Sequence, residues 1–369
     1  MQTPLSGAPL AGEAGSGKRA QHQHQATGLV DGTRGEREVV ANRAQVDCPV
    51  RQRRPLKYPA TGYASEDAAA LGRVSQPLTE LLVLADYRTR YAQYRSDLDL
   101  QAAHAAFPWV CVWDDHEITN DTWKNGAQNH QADEGDFFLR RDAAIRAYYE
   151  WMPIRPPEAT RLLRAFRSFS FGNLVDLHML DTRLIGRDKQ LAFASFFGAT
   201  GFNGAAFGAA LADPTRQLLG SEQAQWLSGR MAATSATWTV LGQQVLMGRM
   251  NIPAPLVLQQ ISFTNYSAIL FKAATAPATL TPQEQAILAQ PAIPYNLDAW
   301  DGYAVARETV LGTARALNKN LVVLAGDTHN AWASDLADFS NNPSVSSLPP
   351  RASRPPALKR FSRQRIRWQ

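Results

Sequence analysis

Two segments of this sequence place acidic side chains and histidine directly after apolar runs. The segment 113–117 reads Trp-Asp-Asp-His-Glu and follows the apolar residues 109–112, and the segment 326–330 reads Gly-Asp-Thr-His-Asn and follows the apolar residues 321–325. Ionisable groups this close repel one another and resist burial unless a cation neutralises them. Because α/β enzymes hold their chemistry at strand ends, the two segments together predict one metal site.

The donor atoms in these two segments indicate the kind of metal. Carboxylate oxygens suit hard ions such as Ca²⁺, Mg²⁺, Mn²⁺ or Fe³⁺, whereas imidazole also binds zinc and iron. This mixture favours a hydrolytic centre of two or more metal ions over redox chemistry. The alternative is a solvated turn in each segment, in which aspartate caps backbone amides and histidine lies on the surface.

Helices and strands alternate through the middle of the chain, which predicts an α/β fold that would position these segments. Apolar residues at near-helical spacing predict a helix over 81–107, and Pro108 ends it before the strand that leads to 113–117. Aromatic and alternating residues predict a hairpin over 166–181. The other predicted elements are a helix over 136–151, a mobile loop over 192–220, a helix from Ser221, a strand over 234–247 and a helix over 301–317.

The net charge of +5 comes from the two ends of the chain. Residues 1–57 and 351–369 carry surpluses of four and seven positive charges, so residues 58–350 carry a net charge of −6. The basic ends have no structured pattern, which argues against a nucleic-acid reader. No apolar stretch approaches the roughly 20 residues of a membrane span, and no signal-peptide hydrophobic region is visible. Cys48 and Cys111 lie in dissimilar environments and predict no disulfide framework.

Several motifs occur in the order found in one enzyme family. They are Val-Trp-Asp-Asp-His-Glu at 112–117, Met-Leu-Asp-Thr-Arg at 179–183, Asp-Ala-Trp-Asp-Gly-Tyr at 298–303 and Ala-Gly-Asp-Thr-His at 325–329. On these motifs the chain resembles the alkaline phosphatase D, or PhoD-like, family from about Ala70 to about Asn342. The resemblance implies a calcineurin-like metallophosphoesterase fold, a two-sheet αββα sandwich. It also implies hydrolysis of small or polymeric phosphate monoesters or diesters with iron and calcium, other divalent metals being the alternative.

The resemblance also implies roles for five residues. Asp115 falls where calcineurin-like enzymes place the metal-binding asparagine of their Asn-His-Glu or Asn-His-Asp motif. His116 falls on the histidine that contacts the phosphate and protonates the leaving group. Asp327 and His329 match metal-binding positions late in the family sequence. Asp301 is similar to a calcium-site carboxylate, with helix capping as the alternative because aspartate is favoured at helix starts.

Five further polar residues are candidate metal ligands or candidates for orienting the ligands. They are Asp114, Glu117, Asp181, Arg183 and Asn330. A bidentate contact between the Arg183 guanidinium and a carboxylate would hold a strand end beside the site, and Asp181 and Arg183 are candidates for such structural pairing.

The chain departs from the family at both ends. The cysteine-bearing strand end, the Gly-Asp-Tyr-x-Tyr type motif and the immunoglobulin-like domain that the family carries upstream are not recognisable here. We therefore expect residues 1–69 to be a disordered or aberrant segment, 70–342 a partial phosphatase domain and 343–369 a basic disordered tail. Two hypotheses follow: an active phosphohydrolase, or a truncated and catalytically defective relative that lacks part of its metal site. Because the family is generally exported, a periplasmic or extracellular location is expected.

Overall fold

The structure is a computed structural model that describes residues 72, 74–328 and 331–339, together with the backbone of 26–28 and 40–42. The strands in this part of the chain are β1 (Ala26–Gly28), β2 (Val40–Asn42), β3 (Trp109–Cys111), β4 (Thr122–Trp123), β5 (Gly126–Ala127), β6 (Arg167–Phe171), β7 (Val175–Met179), β8 (Phe197–Gly198), β9 (Gly201–Phe202), β10 (Trp238–Gly242), β11 (Asn251–Pro253), β12 (Ala292–Pro294) and β13 (Leu321–Leu324). The α-helices are α1 (Leu84–Arg95), α2 (Leu98–Ala106), α3 (Phe137–Trp151), α4 (Gly204–Leu211), α5 (Gly220–Ala233), α6 (Ala254–Val257), α7 (Phe263–Thr275), α8 (Pro282–Leu288) and α9 (Ala304–Ala316). Short 3₁₀ helices cover Ala132–Glu134, Phe193–Phe196, Pro277–Thr279 and Trp300–Tyr303.

Aspartate side chains set the starts of α2 and α3. Asp97 accepts a hydrogen bond from the backbone N–H of Leu100 at the start of α2, and Asp136 accepts one from Phe138 at the start of α3. Such caps satisfy backbone donors that the first helical turn leaves unpaired. The cap at Asp97 begins a new helix, so the single helix predicted over 81–107 is in fact the pair α1 and α2.

A four-stranded sheet in the order β13-β10-β7-β6 forms the centre of the fold. Strands β7, β10 and β13 are parallel, whereas β6 and β7 form an antiparallel hairpin, as predicted over 166–181. The strand predicted over 234–247 is shorter and covers Trp238–Gly242. Helices α5 and α9 provide the crossovers between the parallel strands. Parallel strands end at the same edge of a sheet, so the residues after β7, β10 and β13 meet there.

A second sheet in the order β1-β2-β3 lies opposite the first. Val110 of β3 packs in one hydrophobic cluster with Leu177 and Met179 of β7 and Val240 of β10, so apolar side chains fill the space between the sheets. This packing brings the end of β3 to the same region as the ends of the parallel strands. The two-sheet α/β arrangement confirms the predicted fold class.

Helices cover the outer sides of the two sheets. Trp113, at the end of β3, is fully buried in a cluster with residues of α1 and α3, such as Tyr91 and Tyr148. A separate cluster joins α5 and α9 through Leu227 and Leu311. No α-helix in the described residues is long and apolar enough to cross a bilayer.

Residues 192–220 contain secondary structure where the sequence predicts a mobile loop. A 3₁₀ helix, the short β8–β9 pair and α4 follow one another in this segment. The rings of Phe193, Phe196 and Phe202 all pack against Phe207, with centroids 5.2 to 5.5 Å from its ring. The prediction was wrong because these phenylalanines form a small apolar cluster of their own, which offsets the cost of ordering a Gly-rich segment.

Candidate metal centre

Three carboxylates from the two sheets converge at one edge of the fold. Asp114 and Asp115 follow β3, Asp327 follows β13, and one carboxylate oxygen of each lies within 4.8 Å of the others. Asp114 and Asp115 are buried, whereas Asp327 is half-buried. Among the described residues, these three form the one group of acidic, histidine or cysteine side chains that are close enough together to hold a metal ion. The fold thus brings together the two acidic segments that the sequence singles out.

The guanidinium of Arg183 lies among these carboxylates and is completely buried. Its Nε donates to Asp114 Oδ1, and its Nη2 donates to Asp327 Oδ1 at 2.9 Å and lies 3.8 Å from Asp115 Oδ1. Its Nη1 lies 2.8 Å from Asp298 Oδ2. Burial acts to lower the pKa of Arg183, but the surrounding carboxylates outweigh burial and raise this pKa well above its ordinary value. We call this group the acidic centre. It consists of Arg183 and the carboxylates of Asp114, Asp115, Asp298 and Asp327.

Asp181 forms hydrogen bonds with the backbone of the turn after β7. The Arg183 side chain instead contacts the carboxylates of the acidic centre. Its side chain accepts the N–H groups of Arg183, Leu184 and Ile185 at 2.8, 2.9 and 3.1 Å. Burial raises the pKa of Asp181, and these backbone donors oppose the rise. The two residues therefore contact through the Arg183 backbone, and Asp181 holds the turn from which the guanidinium extends.

Asp298 is a member of the acidic centre that sequence reasoning missed. Besides Arg183, it contacts Arg187, which donates from Nη2 to both the Asp298 side chain and the Asp298 carbonyl, the latter at 2.7 Å. Arg187 is completely buried and also donates to the Thr182 carbonyl at 3.2 Å. A signal for this residue is present in the sequence, because Asp298 and Asp301 both occur in the motif Asp-Ala-Trp-Asp. Spacing alone does not show which of the two faces the centre.

Negative charge exceeds positive charge in this region. Four carboxylates of the acidic centre face two guanidiniums, those of Arg183 and Arg187, which leaves a formal surplus of two negative charges. Burial, followed by the charges of Asp298 and Asp115, raises the pKa of the neighbouring Asp121 to about 7. Oxygen donors with uncompensated negative charge fit a hard cation such as calcium.

His116 lies beside Asp115 with its ring largely buried. Its Nε2 lies 2.7 Å from Asn120 Oδ1 and 3.7 Å from Asp115 Oδ2. The Asn120 oxygen accepts a hydrogen bond from His116 in the tautomer that carries a proton on Nε2. Asn120 in turn donates from Nδ2 to Gln128 Oε1 at 2.5 Å. The His116 ring therefore lies between the acidic centre and the Asn120–Gln128 pair.

The other predicted residues lie around the centre or apart from it. Glu117 is buried, and its Oε2 accepts the backbone N–H of Asp114 at 2.5 Å, so it orients the segment that carries Asp114. Asp301 is not in the three-carboxylate group, and its Oδ2 accepts the N–H of Met250 at 2.8 Å. Burial raises the pKa of Asp301, and the Met250 donor opposes the rise. His329 and Asn330 lie outside the described residues.

Gln244, two residues after the end of β10, connects all the strand ends that carry the acidic centre. Its Nε2 donates to the carbonyls of Trp113 and Leu180 at 2.6 and 3.1 Å, and its Oε1 accepts the Thr182 N–H at 2.9 Å. Its backbone carbonyl accepts the N–H of Gly326 at 2.9 Å. These partners directly precede Asp114, Asp181, Arg183 and Asp327. One buried side chain therefore fixes the relative positions of both sheets at the site, a role that no sequence pattern indicated.

Two facing sheets with outer helices and a cluster of carboxylates at their shared edge define a metallophosphoesterase-like protein. The chain belongs to the PhoD-like phosphatase family, whose model matches residues 57–348. It is 37% identical over 269 residues to alkaline phosphatase D of Bacillus subtilis (strain 168), a match that covers 72% of this chain and 38% of that protein. A solved structure described as "Structure of PhoD" superposes with a TM-score of 0.51 at 36% identity, covering 71% of this chain and 42% of the other.

These comparisons confirm the family resemblance and the fold class expected from the ordered motifs. The chain spans 38% of the length of the curated relative that it matches. The boundaries at 69 and 342 and the roles of the individual site residues stay predictions.

Proposed function

We propose that this chain hydrolyses phosphate esters at the acidic centre, as a metal-dependent phosphomonoesterase or phosphodiesterase. The observation that carries the proposal is the meeting of Asp114 and Asp115 from one sheet with Asp327 from the other within 4.8 Å. Membership of the PhoD-like phosphatase family and the name of the relative, alkaline phosphatase D, support it. The substrate would be a small or polymeric phosphate ester.

Asp114, Asp115 and Asp327 would hold the metal, and their oxygen donors suit calcium or another hard cation. Iron, with His329 as a further ligand, is proposed on the family resemblance. Bound cations would lower the pKa of a water molecule and stabilise negative charge on the phosphate.

The protein residues have separable tasks in this proposal. Arg183 keeps the carboxylates close together and would limit their repulsion while the metal site is formed. His116 would protonate the departing alkoxide, since its ring lies beside Asp115 at the acidic centre. Glu117 and Asp181 hold the backbone on either side of the centre through hydrogen bonds to N–H groups.

The proposal is tested by elemental analysis and by assays with 4-nitrophenyl phosphate and bis(4-nitrophenyl) phosphate. We expect bound metal and turnover in the wild-type chain, and loss of turnover in Asp115→Ala and Asp327→Ala. Asp213→Ala is the matched control, because Asp213 is not among the metal-binding carboxylates and its side chain accepts the Thr215 N–H in a loop. A wild-type chain that binds no metal and hydrolyses neither ester would instead support the alternative, a catalytically defective family member.

Two further expectations belong with this proposal. Residues 70–342 are proposed as the catalytic unit, which limited proteolysis with mass spectrometry would test. A periplasmic or extracellular location is proposed from the family, and fractionation of the source cells would test it.

A further inference from the structure

A groove of 590 Å³ opens beside the acidic centre. One wall is formed by residues 121–131, which include the β4–β5 hairpin, and the other by residues 189–192. The lining is mixed: polar side chains such as Asn125 and Gln128 alternate with apolar ones such as Trp123, Phe137 and Leu191.

Hydrogen bonds connect this groove to the acidic centre at two points. The backbone N–H of Asp121 donates to Asp115 Oδ2 at 2.8 Å. His116 contacts Asn120, and Asn120 donates to Gln128, which lines the groove. The groove therefore begins on the side of the centre where His116 lies. A leaving group that receives a proton from His116 would leave the phosphate on this side.

Lys189 is held at the groove by aromatic packing. Its Nζ lies 5.1 Å from the centroid of the Trp123 ring, a cation–π distance. The Trp123 ring packs closely on Gly126 in the opposite strand of the hairpin. This packing requires glycine, because a Cβ at position 126 would lie only 2.7 Å from Trp123 Cζ2. The indole is thus fixed against the hairpin and limits the positions that the lysine side chain can adopt.

The charge of Lys189 is available to a ligand. No carboxylate among the described residues forms an ion pair with Lys189, and its side chain is exposed. The neighbouring Lys124 differs, because its Nζ lies 2.5 Å from Asp188 Oδ1 and is neutralised there. A positioned ammonium group without an ion-pair partner in a groove of mixed lining can bind an anion.

We propose that this groove binds the alcohol portion of the phosphate ester and that Lys189 recognises a second anionic group on it, a phosphate or a carboxylate. The inference rests on the proposed hydrolysis at the acidic centre and adds a preference for one class of substrate. Lys189 would act on specificity, since it contacts the leaving group and lies outside the acidic centre.

Three esters that share a 6-phosphate test this preference: glucose 6-phosphate, 6-phosphogluconate and glucose 1,6-bisphosphate. Their leaving groups are neutral, carry a carboxylate and carry a phosphate, respectively. For each charged ester we take the ratio of its kcat/KM to that of glucose 6-phosphate. We expect this ratio to fall about tenfold in Lys189→Met and to keep its wild-type value in Lys189→Arg. Comparison of the two charged esters identifies the anion that is preferred. Lys124→Met is the matched control and should leave the ratios unchanged, whereas unchanged ratios in Lys189→Met would overturn the inference.

Calorimetric titration of the same three compounds separates this inference from the proposed function, because binding does not require turnover. Binding of a doubly charged ester that weakens about tenfold in Lys189→Met supports the groove site even if no ester is hydrolysed. Equal binding of that ester by the wild-type chain and Lys189→Met overturns it, whatever the assays of hydrolysis show.

Discussion

Arg183 is the residue on which the charge balance of the acidic centre depends. Its buried guanidinium contacts Asp114 and Asp327, while its pKa is raised by the carboxylates around it in spite of burial. Removing one partner of a buried ion pair leaves charges without compensation, which is costlier than losing an exposed pair.

We expect Arg183→Met to lower the free energy of unfolding by about 3–5 kcal/mol in the presence of a chelator. Calcium should restore part of this loss, because it would replace the missing positive charge. Urea denaturation with EGTA and with calcium measures both effects. Arg161→Met is the control, since Arg161 is exposed and pairs with the exposed Glu222, and its loss should be small. Equal losses in the two variants would contradict a central role for Arg183.

Glu80 gives a prediction for pH, away from the acidic centre. Its Oε1 accepts from Arg140 Nη2 at 2.9 Å and from Asn129 Nδ2 at 2.8 Å. Burial, followed by a hydrogen bond with Glu134, raises the pKa of Glu80 to about 7, although Arg140 opposes the rise. The folded chain therefore holds this proton more tightly than the unfolded chain, so the stabilisation is complete below about pH 4.5 and is lost as pH rises to about 7.

Glu80→Gln should remove this pH dependence, because its amide does not ionise. Relative to the variant, we expect the wild-type chain to lose about 2 kcal/mol of unfolding free energy between pH 5 and pH 8. Urea denaturation of both chains at the two pH values measures the difference. A gap between wild type and variant that is the same at pH 5 and pH 8 would show that Glu80 has an ordinary pKa.

At the scale of elements, the acidic centre depends on how accurately four strand ends are aligned. Gln244 is a positioning residue for this alignment, since its side chain forms hydrogen bonds with the backbone of Trp113, Leu180 and Thr182. Gln243 is also buried, but its side chain forms hydrogen bonds with Val245 and Trp300. None of these hydrogen bonds reaches the residues that precede the acidic centre. The two neighbouring glutamines therefore form a matched pair.

We expect Gln244→Met to lower kcat by about 100-fold, because misplacement of catalytic groups by about 1 Å has an effect of this size. Gln243→Met should lower the melting temperature to a similar extent and leave kcat close to the wild-type value. Steady-state kinetics and thermal denaturation of both variants give the comparison. If the two variants lose activity only in proportion to stability, Gln244 has a structural role alone.

The sequence predicts those elements whose signal is local. The acidic segments after β3 and β13 are found because an apolar run ends in clustered ionisable groups. The hairpin over 166–181 is found because aromatic residues before Gly172 are followed by an alternating run after it. Local signals also place most helices, but the break at Asp97 and the aromatic packing around Phe207 depend on capping and tertiary contacts that periodicity does not contain.

Residue partners in the centre were harder to predict. Arg183 was expected to contact a carboxylate, yet its partners lie 69 to 144 positions away in sequence. Asp298 and Gln244 were missed for the same reason: each acts through residues that only the sheet topology brings near. The family resemblance points to Asp301, and one sequence does not show that Asp298 of the same motif is the aspartate that faces the centre.

At the scale of the whole molecule, the acidic centre joins two sheets that otherwise meet through an apolar cluster. Asp114 and Asp115 belong to the end of β3, Asp327 to the end of β13, and Val110 packs on Leu177 between the sheets. A cation held by carboxylates of both sheets would bind the folded chain and not the separated sheets. Its binding energy would therefore add to the stability of the entire fold.

Calcium at about 100 times its dissociation constant should raise the free energy of unfolding by about 2.7 kcal/mol. For a chain of this size the melting temperature would rise by about 3–5 °C, and EGTA should reverse the rise. Asp327→Asn should abolish the shift by removing the ligand from one sheet, whereas Asp213→Asn, at an exposed loop, should retain it. Scanning calorimetry measures the melting temperatures of these variants. It therefore distinguishes a metal site that links the two sheets from one formed by the end of β3 alone. If the shift survives Asp327→Asn but not Asp115→Asn, the cation is held by the end of β3 alone and does not link the two halves of the fold.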